Sequence, residues 1–476
     1  MSLHRTVHAF VALGVLTGLV EAPAFAQGPT DGRPSRPYRG LFGGGYGNTD
    51  QSLMLNASFG SGYDDNVLLG AVGPQGAVQG PKTASVVDDI SGNLSYSLSR
   101  KRASLAISGG GSETAYQSLP NPWYPTIGVS ATGSFLATSR TRISIAESIG
   151  YRPLSLLPVL PLLATTSFLA DKTFISKADT ALANLGDQPL DVQPRAVNSV
   201  SADSGAVSTN YTSWSTAASV SHSLTRRISL SLNAGDQQST SPSHTFDLSI
   251  QSVGASMSVA IAKGLDLRAG YGEQRAVYQL GTGHEQTVPS HNIDVGLALN
   301  RALSISRRLT LSFSSGLSSF AGQGAFGRTG YFVSGGATLV REIGRTWSAS
   351  VGYSRSVNYI EIFREPVFTD NAVASVGGFI NHRVQLSSSV GTGRGTVGLA
   401  DPNGGFKSSY VTTGATIGIT RLLGTSISYS YYRYNFEAGV ILPVGVARQT
   451  DRQDLRAALV FTAPLFTRTR KPDAAR

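Results

Sequence analysis

Along Ser290–Phe320 (SHNIDVGLALNRALSISRRLTLSFSSGLSSF) the large apolar residues fall at every second position. Ile293, Val295, Leu297 and Leu299 alternate with Asn292, Asp294, Gly296, Ala298 and Asn300. Past Arg307-Arg308 the alternation resumes, with Leu309, Leu311, Phe313 and Leu317 set against Thr310, Ser312, Ser314 and Gly316. Successive side chains of a strand point to opposite faces of its sheet, so this period sends the apolar set to one face and the small polar set to the other. Each arm has roughly ten residues or more, against a usual strand of about five or six. A tilted strand needs about 9–11 residues to cross a bilayer. A soluble sandwich would alternate too, with shorter arms. The stretch predicts a hairpin of a transmembrane β-barrel.

The same pattern recurs along the chain. Leu53, Leu55, Ala57, Phe59 and Tyr63 share a face, as do Leu94, Tyr96 and Leu98; Ile228, Leu230 and Leu232; Trp347, Val351 and Tyr353; and Leu455, Leu459 and Phe461. Two kinds of connection separate the arms. Eight are tight and basic, among them Ser99–Arg102, Ser139–Arg142, Thr225–Arg227, Ser306–Arg308 and Asn381–Arg383. Nine are longer and rich in Gly, Pro, Asn and Gln, at roughly 66–84, 117–126, 152–209, 239–244, 279–289, 322–329, 361–369, 393–407 and 436–450. Together they join 18 strands, with 16 as the alternative if the edges are miscounted. An even count, short turns on one side and long loops on the other are the marks of an all-β, antiparallel outer-membrane barrel. The tyrosines and tryptophans at 63, 116, 151, 211, 214, 271, 278, 353, 359 and 431 gather near the long-loop ends, where an interfacial aromatic girdle is expected.

Two places resist the pattern. In Phe246–Ile261 the apolar parity changes after Ile250, which predicts a β-bulge near Gln251. Glu147 falls on the lipid parity of its arm, so either the register slips or the carboxylate faces a partner.

Composition narrows the class. Charged residues make up 14% and hydrophobic residues 41% of 476 residues, with 54 glycines and a net charge of +10. Soluble domains carry about 25% charged residues; a wall with one face in lipid and one in water needs fewer. There is no cysteine, which excludes a disulfide framework. Residues 1–26 read as a secretory signal: His4 and Arg5, the apolar core Ala9–Val20, and the cleavage site Ala24-Phe25-Ala26. Residues 27–50 are expected to be a flexible periplasmic lead-in, 51–466 the barrel and 467–476 a periplasmic tail. The expected location is the outer membrane of a Gram-negative bacterium, with the barrel assembly machinery, outer-membrane lipid and lipopolysaccharide as its partners.

The stretch Ser58–Val67 ends the first arm with Gly62, Tyr63, Asp64, Asp65 and Asn66. This Gly-Tyr-Asp-x-Asn element resembles the opening strand of the beta-barrel porin 2 family of bacterial outer-membrane proteins, and the resemblance spans about Gln51 to Phe466. It implies an association with exopolysaccharide systems. The residues themselves allow two readings of Asp64, Asp65 and Asn66: a cation site at the barrel rim, or a turn whose side chains bond local backbone. The final arm Asp454–Phe461 is similar to the assembly signal of outer-membrane barrels, but Arg456 stands where glycine is common and the chain runs on past Phe466.

By parity Asp266, Arg268, Asp294, Asn300, Arg383 and Arg456 are expected to line the pore among Ser, Thr, Asn and Gly. A wall mostly of hydroxyls and amides suits a hydrated, weakly selective path, including one for a sugar chain. Arg100, Lys101, Arg102, Arg226, Arg227, Arg307 and Arg308 form a basic periplasmic rim. The rim either focuses anions toward that mouth or contacts anionic head groups and keeps the turns soluble. Nucleic acid fits poorly, because the charges sit on separate turns with no aromatic platform between them. The segment Arg152–Thr209, broken by Pro153, Pro158, Pro161, Pro189 and Pro194, is expected to fold into or over the pore, with a short helix at Ala178–Leu185.

No enzyme is expected. The histidines His222, His244, His284, His291 and His382 are scattered, and neither Gly-x-Ser-x-Gly nor His-Glu-x-x-His occurs. No cofactor or metal spacing is present. The expected function is a conduit, with a polysaccharide as passenger by resemblance. Coupling to a synthesis machine would need a separate periplasmic polysaccharide-export protein. The alternatives are a general or weakly anion-selective diffusion porin for small solutes, and a structural or adhesive barrel with a sealed lumen.

Overall fold

The computed structural model describes residues 49–67, 82–100, 102–120, 122–153, 210–242, 247–262, 265–280, 284–302, 309–321, 329–343, 346–359, 366–398, 404–440, 442 and 447–469. The expected signal, most of the lead-in, the segment 154–209 with its helix, the tail from 470, and Lys101, Phe246, Arg307 and Arg308 lie outside them.

Eighteen strands follow one another: β1 (Thr49–Asp64), β2 (Ser85–Ser99), β3 (Ala103–Tyr116), β4 (Trp123–Leu136), β5 (Thr141–Pro153), β6 (Asn210–Ser223), β7 (Ile228–Thr240), β8 (Asp247–Ala262) and β9 (Leu265–Leu280) form the first half. The second half is β10 (His284–Ala302), β11 (Leu309–Ala321), β12 (Thr329–Ile343), β13 (Trp347–Asn358), β14 (Val367–Asn381), β15 (Val384–Val397), β16 (Gly405–Gly418), β17 (Leu423–Phe436) and β18 (Gln449–Thr469). Each pairs antiparallel with its neighbours in the chain. β18 pairs with β1 from Asp64↔Asp454 to Thr49↔Thr469, which closes the sheet into a barrel. Closure leaves no sheet edge, the condition for strands to stand in hydrocarbon.

The alternation read in the sequence is the alternation of the wall. Cross-strand partners share a face, so Phe59↔Ile90 and Phe59↔Leu459 place one apolar set together. That set is exposed: Ile145 by 53%, Val295 by 63% and Val351 by 59%. Its complement is buried or half-buried, including Ser58, Ser91, Ser108 and Ser231. An apolar exterior around a polar interior inverts a soluble protein, and a hydrocarbon layer is what stabilises it. The strands, from 12 residues in β13 to 21 in β18, exceed the roughly 9–11 that a tilted crossing needs. Their ends at the long connections therefore stand clear of the hydrocarbon.

Two local expectations change, and at Glu147 one of the two alternatives holds. The bulge near Gln251 is absent: β8 runs in unbroken register against β7 from Leu248 to Val259, and its one irregularity lies between Ala260 and Ala262. The parity changes because Leu248 and Ile250 point inward, into a buried cluster with Ala276, Tyr278 and Val288. The long loop expected at 279–289 is also absent, since β9 reaches Leu280 and β10 begins at His284 with Pro289 inside it. Finally, β5 keeps its register (Ala131↔Glu147 and Glu147↔Thr216), so Glu147 stays on the outer face. Trp214 Nε1 donates to its Oε1 at 3.1 Å.

Candidate functional site

The inner wall is built from hydroxyls. Because inward positions on adjacent strands lie opposite each other, their serines meet: Ser52 with Ser97 at 2.6 Å, Ser104 with Ser134 at 2.8 Å, Ser148 with Ser215 at 2.8 Å, Ser231 with Ser256 at 2.7 Å, and Ser350 with Ser375 at 2.6 Å. Ser389 meets Thr412 in the same way at 2.6 Å. Each hydroxyl offers one proton and two lone pairs, so a paired serine keeps capacity for a passing solute. Glycines stand among them, as at Gly110, Gly254 and Gly272, and at Gly110 a Cβ would stand 2.4 Å from the Gly92 oxygen.

Toward the long connections the inner wall turns aromatic. Tyr116, Tyr278, Phe406, Tyr410, Tyr434 and Phe436 are buried on inward positions. Tyr116 meets Tyr124 edge to face at 5.4 Å, Tyr434 meets Phe436 at 5.3 Å, and Tyr410 stacks on Tyr432 at 6.4 Å. This collar corrects the expected girdle. Tyr63, Tyr151, Trp214, Tyr271, Tyr353 and Tyr431 do share the outer face with apolar partners. Tyr116, Tyr211, Tyr278 and Tyr359 instead turn inside. Tyr359 donates to Ser290 Oγ at 2.9 Å. Burial pushes its phenol up to about 12, and the Ser290 hydrogen bond opposes that rise.

Several charges of the inner wall meet at the closing seam, while Arg142 is buried on an inward position of β5. Arg452 and Asp64 are both fully buried and paired, with Arg452 Nε donating to Asp64 Oδ2 at 2.7 Å and Nη2 donating to the same oxygen. Below them Arg456 Nε donates to Asp454 at 2.7 Å, and its Nη1 lies 3.8 Å from Asp89 of β2. Each charge has an opposite partner, so the seam adds little net field to the lumen.

The Gly-Tyr-Asp-Asp-Asn element is the seam's fastening. Gly62 lies so close to β18 that a Cβ would stand 2.4 Å from the Leu455 carbonyl oxygen. Asp64 takes the inner pair with Arg452, and its Oδ1 accepts the backbone N–H of Asn66 at 2.8 Å. Asp65 faces the other way: its Oδ1 accepts the Gln453 N–H at 2.6 Å and its Oδ2 accepts from Lys82 Nζ at 3.0 Å. Lys82 also reaches Asp451 at 2.9 Å, and Asn66 Nδ2 donates to the Asp451 carbonyl at 2.9 Å. Partial burial lowers the Lys82 pKa, but the hydrogen bonds it donates to Asp451 and Asp65, with the charges of those carboxylates, outweigh that and leave it raised. The element thus makes one local turn bond, as the turn reading expects, and its side chains also bond across to β18 and Lys82. Both aspartates are taken up by cations of the chain.

The remaining candidates are dispersed. Asp266 and Arg268 are half-buried on inward positions of β9, on the far side of the barrel from the seam. Asp294 and Asn300 lie in β10 opposite Gly270 and Ser312, and their side chains are outside the described residues. Arg383 is not in the wall. Asn381 Oδ1 accepts the N–H groups of Arg383 and Val384 at 2.8 and 2.9 Å, which ends β14 in a side-chain-capped turn and leaves Arg383 exposed. Arg100, Arg102, Arg226 and Arg227 are exposed at the short turns. His222 bonds Thr141 Oγ1 at 2.8 Å, and His291 bonds the Tyr271 hydroxyl at 2.9 Å.

No protein-family model matches the sequence, and no curated protein does. Solved structures similar to it include OccK2 (OpdF) of Pseudomonas aeruginosa in complex with glucuronate, at 10% identity and a TM-score of 0.43 over 88% of this chain and all (100%) of that one. OpdQ of Pseudomonas aeruginosa stands at 11% identity and 0.43, over 88% of this chain and 98% of that one. OpdL of Pseudomonas aeruginosa stands at 13% and 0.40, over 88% and 99%. The likeness is one of fold alone.

Proposed function

We propose that this chain is an outer-membrane channel of a Gram-negative bacterium and that its passenger is a neutral or weakly charged polyhydroxylated chain, an exopolysaccharide on its way out. The observation that carries the reading is the lumen wall of paired serines and threonines, whose charges at the seam are neutralised in pairs. A closed 18-stranded barrel has the girth for an aqueous path. Hydroxyl walls exchange hydrogen bonds with sugar hydroxyls without holding them at a fixed point. A wall of unpaired cations would select anions, and the inner charges at the seam are arranged against that. The resemblance of Gly62–Asn66 to an exopolysaccharide-associated family points the same way. Delivery from a synthesis machine would fall to a separate periplasmic export protein.

The test has two arms. Purified protein in a planar bilayer is expected to conduct, with current reduced by added long oligosaccharides and little selectivity between potassium and chloride. A deletion strain is expected to lose one secreted or surface polysaccharide. A strain that still secretes all of them overturns the export reading and leaves a diffusion channel.

A second reading has an observation of its own. The buried aromatic collar at the long-connection mouth favours a barrel whose lumen is sealed. A bilayer that stays silent with protein inserted would select it over the conduit.

A further inference from the structure

On the outer face, just beyond the apolar belt at the long-connection ends, three cations and one carboxylate stand in a single cross-strand row. The register runs Arg355↔Asp370, Asp370↔Arg394 and Arg394↔Lys407, one residue from each of β13, β14, β15 and β16. Arg433 of β17 sits one step below the row, between Ser409 of β16 and Asp451 of β18, so the arc carries four cations against the carboxylates Asp370 and Asp451. The side chains point out: Arg394 is 77% and Arg355 45% exposed, and Lys407 and Arg433 are exposed as well. Adjacent strands are about 4.8 Å apart, so the row presents its cations across a width of three such spacings. Asp370 anchors it. It accepts from the Tyr353 hydroxyl at 2.7 Å and lies 3.7 Å from Arg355 Nε and 3.8 Å from Arg394 Nε. One carboxylate thus stands between two guanidinium groups, Arg355 also lies over the Phe332 ring at 4.7 Å, and the set keeps a positive excess.

The opposite side of the barrel is different. At the same end, outer positions of β2, β3, β7 and β9 carry Asp88, Glu113, Asp236 and Glu273, with Arg275 as the cation among them. Among the described residues, the outer cations at this end are therefore densest on the β13–β17 arc, one step beyond the apolar belt.

We infer that the arc Arg355–Arg394–Lys407–Arg433 binds the phosphorylated head group of an outer-leaflet glycolipid. This rests on the outer-membrane reading, because only that leaflet puts such a head group beside the long-connection rim. Guanidinium groups match phosphate in bidentate geometry, and ones already held in place lose less freedom on binding. The belt below, with Val351, Val390 and Val411 exposed, would take the acyl chains of the same molecule.

The test uses the full chain folded in lipid-free micelles. Bisphosphorylated lipid A is added, with its dephosphorylated form and inorganic phosphate as separate arms, and the melting midpoint is read by heat-modifiable gel mobility. Lipid A is expected to raise the midpoint by about 3 °C or more at saturation. Dephosphorylated lipid A and inorganic phosphate are expected to do far less. The Arg355→Ser/Arg394→Ser/Lys407→Ser protein is expected to lose most of the shift, and an Arg226→Ser/Arg227→Ser control to keep it. An equal shift in the triple variant, or with dephosphorylated lipid A, overturns the inference. So does a wild-type dimer in lipid-free micelles that the triple variant lacks, since the row would then face a second copy of the chain. Insertion into phosphatidylcholine vesicles is scored separately. Failure there overturns the membrane-barrel reading together with this site, whereas a missing lipid A shift with insertion intact overturns the site alone.

Discussion

Replacing Asp64 by Asn should cost far more than replacing Asp64 and Arg452 together. Both side chains are fully buried at the seam, and Arg452 directs Nε and Nη2 to one carboxylate oxygen. Asp64→Asn keeps the shape and leaves a guanidinium out of water without its counter-charge, which costs about 3–5 kcal/mol. Arg452→Met leaves the carboxylate stranded instead and should cost a similar amount. The double change Asp64→Leu/Arg452→Met removes both buried charges, and buried pairs replaced by apolar residues are neutral or more stable by about 1–4 kcal/mol, set against about 1–3 kcal/mol for the Asn66 N–H that loses this acceptor. Its stability should lie within about 1 kcal/mol of wild type or above it. Asp64→Leu and Arg452→Met alone complete the cycle, and their coupling energy should be several kcal/mol in the direction that favours the pair of changes. The assay is reversible urea unfolding from vesicles. Tryptophan emission is the probe, because Trp123 and Trp214 are exposed on the outer face and sense lipid. Singles that each cost under about 1 kcal/mol, or a double whose cost is their sum, would refute the argument that the seam holds a desolvated pair.

Three further outcomes are expected. Gly62→Ala should destabilise the seam by about 1–3 kcal/mol, because its Cβ would stand 2.4 Å from the Leu455 oxygen and 2.7 Å from Arg456 Cγ; a variant that unfolds at the wild-type urea midpoint would contradict the close approach. Glu147→Leu should stabilise the barrel in lipid by about 1–2 kcal/mol, since a carboxylate on the lipid face is unfavourable though less so than a cation; a loss of stability would mean that its bond from Trp214 outweighs that cost. Burial raises the Tyr359 pKa to about 12, so the neutral phenol is favoured by the folded state. That contribution is whole below the unfolded value near pH 10 and declines by up to about 1.4 kcal/mol per pH unit as pH climbs toward 12. Tyr359→Phe should flatten the fall in stability relative to wild type over that window, and parallel curves would show that the phenol titrates freely in the fold.

Much of the wall was legible because its two instructions are local. Period two sets which residues share a face, and turn composition sets where the chain reverses. Ser290–Phe320 carries both, and eight basic turns fix the strand number without any knowledge of distant contacts. What parity leaves open is which face is inside once a strand leaves the hydrocarbon. Below that level lipid decides, and most large apolar residues go out, with Val460 and Val373 among those that do not. Above it a tyrosine or leucine can pack inward on other aromatics, as Tyr116, Tyr278, Leu248 and Ile250 do. The apparent bulge at Gln251 is this change of rule read as a change of register. Arg383 failed for a different reason. Parity was extended through a position where Asn381 had already capped the turn.

The seam was the least legible part, and its chemistry explains why. Asp64 and Arg452 stand 388 positions apart in the chain, so a local reading can find only the turn bond to Asn66. Yet the same short element carries what closure demands of its last contact. β1 and β18 are the two strands of the ring that no turn joins, so their register must be set by side chains and fit. Gly62 admits β18 at close range, Asp64 fixes it from inside, and Asp65 with Lys82 fixes it from outside. A slip of β18 by one residue would turn Arg452 toward lipid, where a cation is costly, and would leave Asp64 without its inner partner. The element, which local sequence reads either as a rim cation site or as a turn, acts in the fold as the device by which an 18-stranded ring recognises its own end.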